Sequence, residues 1–217
     1  MGDIPIRRRF RMIIPAFPAF NIYTRIARLT TALGPLSVAT VVSHLPEWDV
    51  EVIDENNYRK LGPKDNDGLP DHSTLQAIRR ADVVGLYGGL SSTIPRLQEL
   101  AALYKQKGAI TIAGGQHFVD DNIETALQNN VDYVVIGEGG NTISELLMVL
   151  QHGGELTSVA GIAFLQHDKV IRARARDPIL NFDAFPLPDF ELLRYAKVKL
   201  FPINWIRVTA GSPAWDS

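Results

Sequence analysis

Three times along this chain, a short β-branched, apolar run ends in glycines and gives way to a helical pattern. Asp82 to Tyr87 (DVVGLY) runs into Gly88-Gly89, Ala109 to Ala113 (AITIA) into Gly114-Gly115, and Asp132 to Ile136 (DYVVI) into Gly137-Glu138-Gly139-Gly140. Continuous apolar runs of this length fit strands buried on both faces of a parallel sheet. Strand, tight loop and helix in repetition place all three loops at one carboxyl edge of that sheet, which is where open α/β sheets bind their ligands. Glycine there lets backbone N–H groups approach a ligand with no Cβ in the way.

Two further strands precede these, Phe10 to Pro15 (FRMIIP) and Val50 to Asp54 (VEVID). The helical segments are Leu36 to Leu45, opened by Gly34-Pro35 and ended by Pro46; Thr74 to Arg80, capped by Ser73; Arg96 to Gln106, closed by Lys107-Gly108; Asp120 to Asn129; and Ile143 to His152, stopped by Gly153-Gly154. Asn141 or Thr142 is placed to cap the last helix, and Thr142 with Glu145 has capping-box spacing. The expected fold class is α/β: a doubly wound, five-stranded parallel sheet, flavodoxin-like or Rossmann-like, in the order 2-1-3-4-5. Ile13, Val52, Val84, Leu86, Ile110, Ile112, Val134 and Ile136 are the expected core.

After Gly154 the pattern changes. Val159 to Leu165 and Lys169 to Arg174 read as a β-hairpin about His167-Asp168. Phe182 to Phe190 (FDAFPLPDF) is a proline-punctuated linker, Leu192 to Tyr195 a helical turn, and Ile203 to Val208 a strand that begins another unit. The expected division is therefore 1–154 for the sheet domain and 155–217 for hairpin, linker and the first strand of a truncated second domain.

A net charge of −2 gives no electrostatic case for nucleic acid, and the basic run Arg7-Arg8-Arg9 with Arg11 flanks the first strand. The absence of cysteine excludes disulfides and thiolate-bound metal within these 217 residues. No apolar run is long enough to span a membrane and no secretory leader is visible, so a cytoplasmic location is expected.

Three small-residue loops on one edge imply one extended ligand, contacted largely by backbone. The Gly137 loop lacks GxGxxG spacing, so no dinucleotide fingerprint supports a nucleotide. A flavodoxin-like nucleotide- or phosphate-binding module would use the same edge and the same helix N-termini. An enzyme in its own right would draw on Glu138, Asp120 and His117 as acid–base groups. Among the histidines, His44 falls within a helix, His152 at a helix end and His167 in a turn, and none presents itself as a metal ligand.

The order of motifs resembles the amino-terminal cobalamin-binding (vitamin B12-binding) domain of cobalamin-dependent radical SAM enzymes. The resemblance rests on Gly34-Pro35-Leu36 after the first strand, VEVIDENNY at the second, DVVGLYGGLSST at the third, AGGQH at the fourth, VVIGEGGNTISELL at the fifth, and the linker FPLPDF. It implies a corrinoid between this sheet edge and a carboxyl-terminal radical SAM domain of the same parent chain. Its dimethylbenzimidazole tail would enter near Ser91, Ser92, Gly114 and Gly115, and its corrin face would lie over the loops after strands one and three. The implied cofactor-binding residues are Ser91, Ser92, Thr93, Gly114, Gly115, Gln116, His117, Gly137, Glu138, Gly139 and Gly140, with no catalytic residue and no protein ligand to cobalt. The first loop, AFPAFNIYTR, holds no histidine. Family members continue into a three-cysteine motif for a 4Fe-4S cluster, entered by Gly-Cys-Pro, where this chain has Gly211-Ser212-Pro213 and then Ser217. Hydroxyls are poor ligands for such clusters. S-adenosylmethionine and the cluster are thus expected only in the full-length parent, with methyl transfer as its commonest chemistry and none from this stretch alone.

Overall fold

Alternation between the two sheet faces governs how this chain packs. The computed structural model describes residues 7–18, 30–58, 62–178 and 185–196. Within them lie β1 (Arg8–Ile14), α1 (Leu33–Ser43), β2 (Trp48–Asp54), α2 (His72–Ile78), β3 (Val83–Tyr87) and α3 (Ile94–Gln106). There follow β4 (Ile110–Gly114), α4 (Asp121–Gln128), β5 (Tyr133–Val135), α5 (Gly139–His152), β6 (Ile162–Gln166) and β7 (Lys169–Arg172). The strands form one sheet in the order β2-β1-β3-β4-β5-β6-β7. The first five are parallel, in the expected 2-1-3-4-5 order. The hairpin β6–β7 extends the same sheet, with β6 antiparallel to β5.

Because side chains alternate along a strand, each strand feeds two cores. Phe10, Met12 and Ile14 of β1 join Ile112 of β4 and Val135 of β5 under α1 and α5. Ile13, Val84, Leu86, Ala113 and Val134 pack on the other face beneath α2, α3 and α4. Six of the eight expected core residues are buried, whereas Ile110 and Ile136 are half-buried at the ends of their runs.

Several local expectations are corrected. Asp71, not Ser73, caps α2, its carboxylate accepting from Thr74 N at 3.0 Å. Helix α5 begins at Gly139, so Asn141 and Thr142 lie inside its first turn. The Thr142 hydroxyl donates to Glu138 O at 2.9 Å, and Glu145 is paired with Arg176, so there is no capping box. His44 is the C-cap residue of α1 rather than an interior one. The hairpin strands are shorter than expected, and the turn near Leu192 is a 3-10 turn over Phe190–Leu192. The strand expected at 203–208, Ser212 and Ser217, and most of the loop after β1 lie outside the described residues.

Two arginines of the basic run are taken up in ion pairs, while Arg7 and Arg8 are exposed. Arg9 pairs with Asp49 at 2.6 Å, and Arg11 is buried against Glu51 at 2.7 Å. Beyond the hairpin, the linker crosses α1 to the edge of β2. Asp189 N donates to Thr40 Oγ1 at 2.9 Å, and Arg194 N to Val52 O at 2.9 Å.

Candidate functional site: a cleft at the carboxyl edge of the sheet

The loops after β3 and β4 are joined backbone to backbone, and the loop after β5 shares a cavity wall with the second of them. Gly88 N donates to Gly114 O at 2.8 Å, and His117 N donates to Gly88 O at 3.0 Å. This close approach explains two glycines. Gly115 has φ of +126°, and a Cβ there would sit 2.6 Å from Gly88 O. At Gly88 itself a Cβ would meet the Phe118 ring at 2.4 Å.

Between α1 and α5 a cavity of about 800 Å³ runs from this rim down to the sheet. Along the rim it is lined by Gly114, Gly115, Gln116, Gly137, Glu138, Gly139 and Gly140, seven of the expected binding residues. Gly139 and Gly140 lie in the first turn of α5, where a Cβ would come within 3.1 Å of Val38 and of Phe185, respectively. Deeper in, the lining is Val38 and Val41 of α1, Ile143 of α5, and Met12, Gly85 and Ile112 of the sheet. Phe185 and Pro186 of the linker stand at its wall.

The remaining expected residues flank this cavity. Ser91, Ser92 and Thr93 form a 3-10 turn between β3 and α3, where Thr93 Oγ1 donates to Leu90 O at 2.8 Å. Ser91 Oγ lies 3.1 Å from His117 Nδ1, whose pKa partial burial lowers. Thr93 and Gln116 line a second, smaller recess of about 280 Å³ over the ends of β1 and β2. Ser91, Ser92 and His117 line neither space. Among the described residues no hydrogen bond connects any two of Glu138, Asp120 and His117, and of the three Glu138 alone lines the cavity. Nor do the described residues contain any His, Asp and Glu group able to hold a metal ion.

Two features escaped the sequence reading. The deep wall from Met12, Gly85 and Ile112 was announced only by a glycine within a strand, a sign of close approach. The other is His72, buried beneath the opposite face. Its Nδ1 is 2.8 Å from Tyr104 Oη and its Nε2 3.1 Å from Glu55 Oε1. Burial lowers the His72 pKa, so the ring is neutral: Tyr104 donates to Nδ1 and Nε2–H donates to Glu55. Burial works to raise Glu55, but His72 and Arg96 outweigh it and hold the carboxyl at about 2. Glu55 also accepts Ala16 N at 2.8 Å, which ties the start of the loop after β1 to α2 and α3. At the end of β2, burial raises the Asp54 pKa although Asn57 and Asn56 donate to its carboxylate.

Comparison with known proteins gives concordant results. Residues 24–147 match the family described as the B12 binding domain. An uncharacterized methyltransferase of Pyrococcus horikoshii, PH0819, is 28% identical over 202 residues, covering 87% of this chain and 41% of that protein. Among solved structures, the cobalamin-dependent S-adenosylmethionine radical enzyme OxsB with aqua-cobalamin bound superposes with a TM-score of 0.64 at 15% identity, over 87% of this chain and 26% of that one. The radical S-adenosylmethionine methyltransferase TsrM from Kitasatospora setae, with cobalamin and an iron–sulfur cluster bound, gives 0.59 at 15% identity, over 83% and 31%. At such identities the structural likeness establishes the fold. The chain spans less than half the length of each of these proteins.

Proposed function

Because the chain belongs to the B12-binding domain family, we propose that it is the cobalamin-holding module of a radical SAM enzyme of the methyltransferase kind. The observation that carries this reading is the cavity between α1 and α5: deep, apolar and opened by glycines at its rim. A cofactor with a flat, largely apolar end group fits such a space, and a Cβ at any of Gly115, Gly139 or Gly140 would intrude on neighbours already in contact. The residues that would hold it are Gly114, Gly115, Gln116, Gly137, Glu138, Gly139 and Gly140, with Ser91, Ser92, Thr93 and His117 beside them. Cobalamin, when bound, supplies a cobalt centre able to carry a methyl group. The protein's own part is to accept the tail, hold the cofactor's edge with backbone N–H groups, and keep water from the buried end.

Residues 1–154 would form the cofactor-holding unit. Residues 155–217 would carry its hairpin and the connection to a radical SAM domain of the same parent chain, where S-adenosylmethionine and a 4Fe-4S cluster would reside. A cytoplasmic location for the parent enzyme is part of this proposal. Among the described residues no helix is long and apolar enough to cross a membrane.

The test is retention of colour. Purified protein mixed with hydroxocobalamin and desalted should keep a stoichiometric red cofactor with a shifted absorption spectrum. Colourless protein and an unchanged spectrum on titration would overturn the reading. Parallel calorimetry with flavin mononucleotide and adenosine nucleotides should show no binding, which separates this module from a nucleotide-binding one on the same fold.

A further inference from the structure

The chemistry of the cavity changes with depth. Its polar side chains are Ser37 in the second turn of α1, Tyr87 at the end of β3 with its hydroxyl beside Gly89, Gln116 in the loop after β4, and Glu138 immediately before α5. One turn further along α1, about 6 Å at 1.5 Å per residue, Val41 follows Ser37, and on α5 Ile143 follows Gly139. The far wall is a register row across three parallel strands, Met12 of β1, Gly85 of β3 and Ile112 of β4. Backbone donors and acceptors in that row are taken up by the sheet ladder. Gly85 has its space filled by neighbours: a Cβ there would lie 3.1 Å from both Sδ and Cε of Met12 and 2.8 Å from the Phe10 ring. The absence of a side chain at 85 lets the Met12 thioether lie across β3 as the floor. A thioether is soft and apolar and asks for no hydrogen bond.

We infer that this Met12–Gly85–Ile112 floor selects the cofactor's lower base, accepting a methylated benzimidazole and rejecting a purine. The inference rests on the cobalamin reading above. Both bases carry an imidazole ring. An adenine adds an exocyclic amine and two nitrogens in its six-membered ring. At the apolar end of the cavity these would lose water and find no partner, whereas the two methyl groups of dimethylbenzimidazole gain burial. Unpaired buried polar groups of this kind weaken binding by about tenfold to a hundredfold.

Spectroscopic titration of the 217-residue chain with three probes tests this: cobalamin, the adeninyl cobamide, and cobinamide, which has no nucleotide tail. Cobalamin should bind about ten to a hundred times more tightly than the adeninyl form, and cobinamide should also be weaker than cobalamin. Equal binding of the two complete cofactors, or preference for adenine, overturns the selection while leaving cobalamin binding intact. Cobinamide binding as tightly as cobalamin overturns it too, because the tail then lies outside the cavity. Failure of all three overturns the cobalamin reading itself. Met12→Gln, which brings an amide to the floor at similar volume, should narrow the ratio between the two complete cofactors. An unchanged ratio in a variant with wild-type circular dichroism counts against Met12 as the selecting residue.

Discussion

The two faces of the sheet are made from alternate residues of the same strands, yet they are finished differently. Beneath α2, α3 and α4 the chain completes itself. Large side chains such as Leu86, Leu97, Leu100 and Tyr104 are fully buried, and even the charges there are paired. Under α1 and α5, Gly85 and Gly114 of the same strands and Gly139 and Gly140 of the first turn of α5 line a cavity that the described side chains leave open. One face stores stability and the other stores room. Protein interiors are otherwise packed as densely as organic crystals, so a cavity of about 800 Å³ lined by apolar groups is a place that the described residues leave unfilled.

The largest expected effect therefore lies on the closed face, far from the cavity. Arg11 is 0% exposed; it pairs with Glu51 at 2.7 Å and donates to Tyr104 Oη at 3.0 Å and Gln76 Oε1 at 3.2 Å. Arg11→Ala leaves a buried carboxylate short of a partner, which should destabilise the fold by about 3–5 kcal/mol in urea unfolding. Cobalamin retention by the fraction still folded should be unchanged. A loss of retention matching the loss of stability would mean that the two faces are not separable.

Truncations on the two faces give a second contrast. Leu100→Ala, in the closed core, should cost about 3 kcal/mol, within the range for core leucines. Ile143 lines the cavity, so its truncation enlarges an existing space and should fall near 2 kcal/mol, at the lower end of that range. The order should invert for cofactor retention, with Ile143→Ala the more damaging of the two.

This difference between faces also marks what could be read from the sequence. Strand identity, the 2-1-3-4-5 order and the meeting of three glycine loops followed from apolar runs and turn residues, because those signals are local. The interior of the cavity did not. Met12, Val41 and Ile143 carry no local mark that sets them apart along the chain, and it is the register across three strands that shows Gly85 laying Met12 flat. The His72–Glu55–Arg96 cluster was equally hidden, since its members come from α2, the end of β2 and α3 and are joined only by folding. The supposed capping box failed for a similar reason: Arg176, beyond the hairpin, takes Glu145 away from the helix terminus and also donates to Thr142 Oγ1 at 2.7 Å. Pairing of the hairpin with β5 had no local sign at all, because a hairpin's own pattern does not say which edge it joins.

Acid should separate the faces as well. His72 is neutral in the fold with its pKa lowered, so the unfolded chain binds a proton first as pH falls below about 6.5. Stability present above that value then declines. Glu55, held at about 2 against an ordinary 4.5, adds a second loss as pH falls from 4.5 toward 2; a depression of that size corresponds to about 3 kcal/mol. Urea midpoints measured from pH 7.5 down to 4 should show the first decline. His72→Gln should flatten it at a cost of about 1–3 kcal/mol at neutral pH, the loss of a buried hydrogen-bonded group. A pH profile unchanged by that substitution would remove His72 as its source.

The smallest expected effect lies at the rim and tests whether its glycines serve conformation or clearance. Gly137 has φ of +77°, but a Cβ built there meets nothing within 4 Å. Gly137→Ala thus incurs only the left-handed backbone penalty, about 1 kcal/mol, and should leave the protein coloured after desalting with cobalamin. Gly115→Ala combines φ of +126° with a Cβ 2.6 Å from Gly88 O, so it must push the loop after β3 away from the loop after β4. That variant should lose both stability and colour. If Gly137→Ala bleaches the protein as fully as Gly115→Ala does, the rim binds through the freedom of its backbone rather than through the fixed shape that the Gly88–Gly114 and Gly88–His117 hydrogen bonds impose.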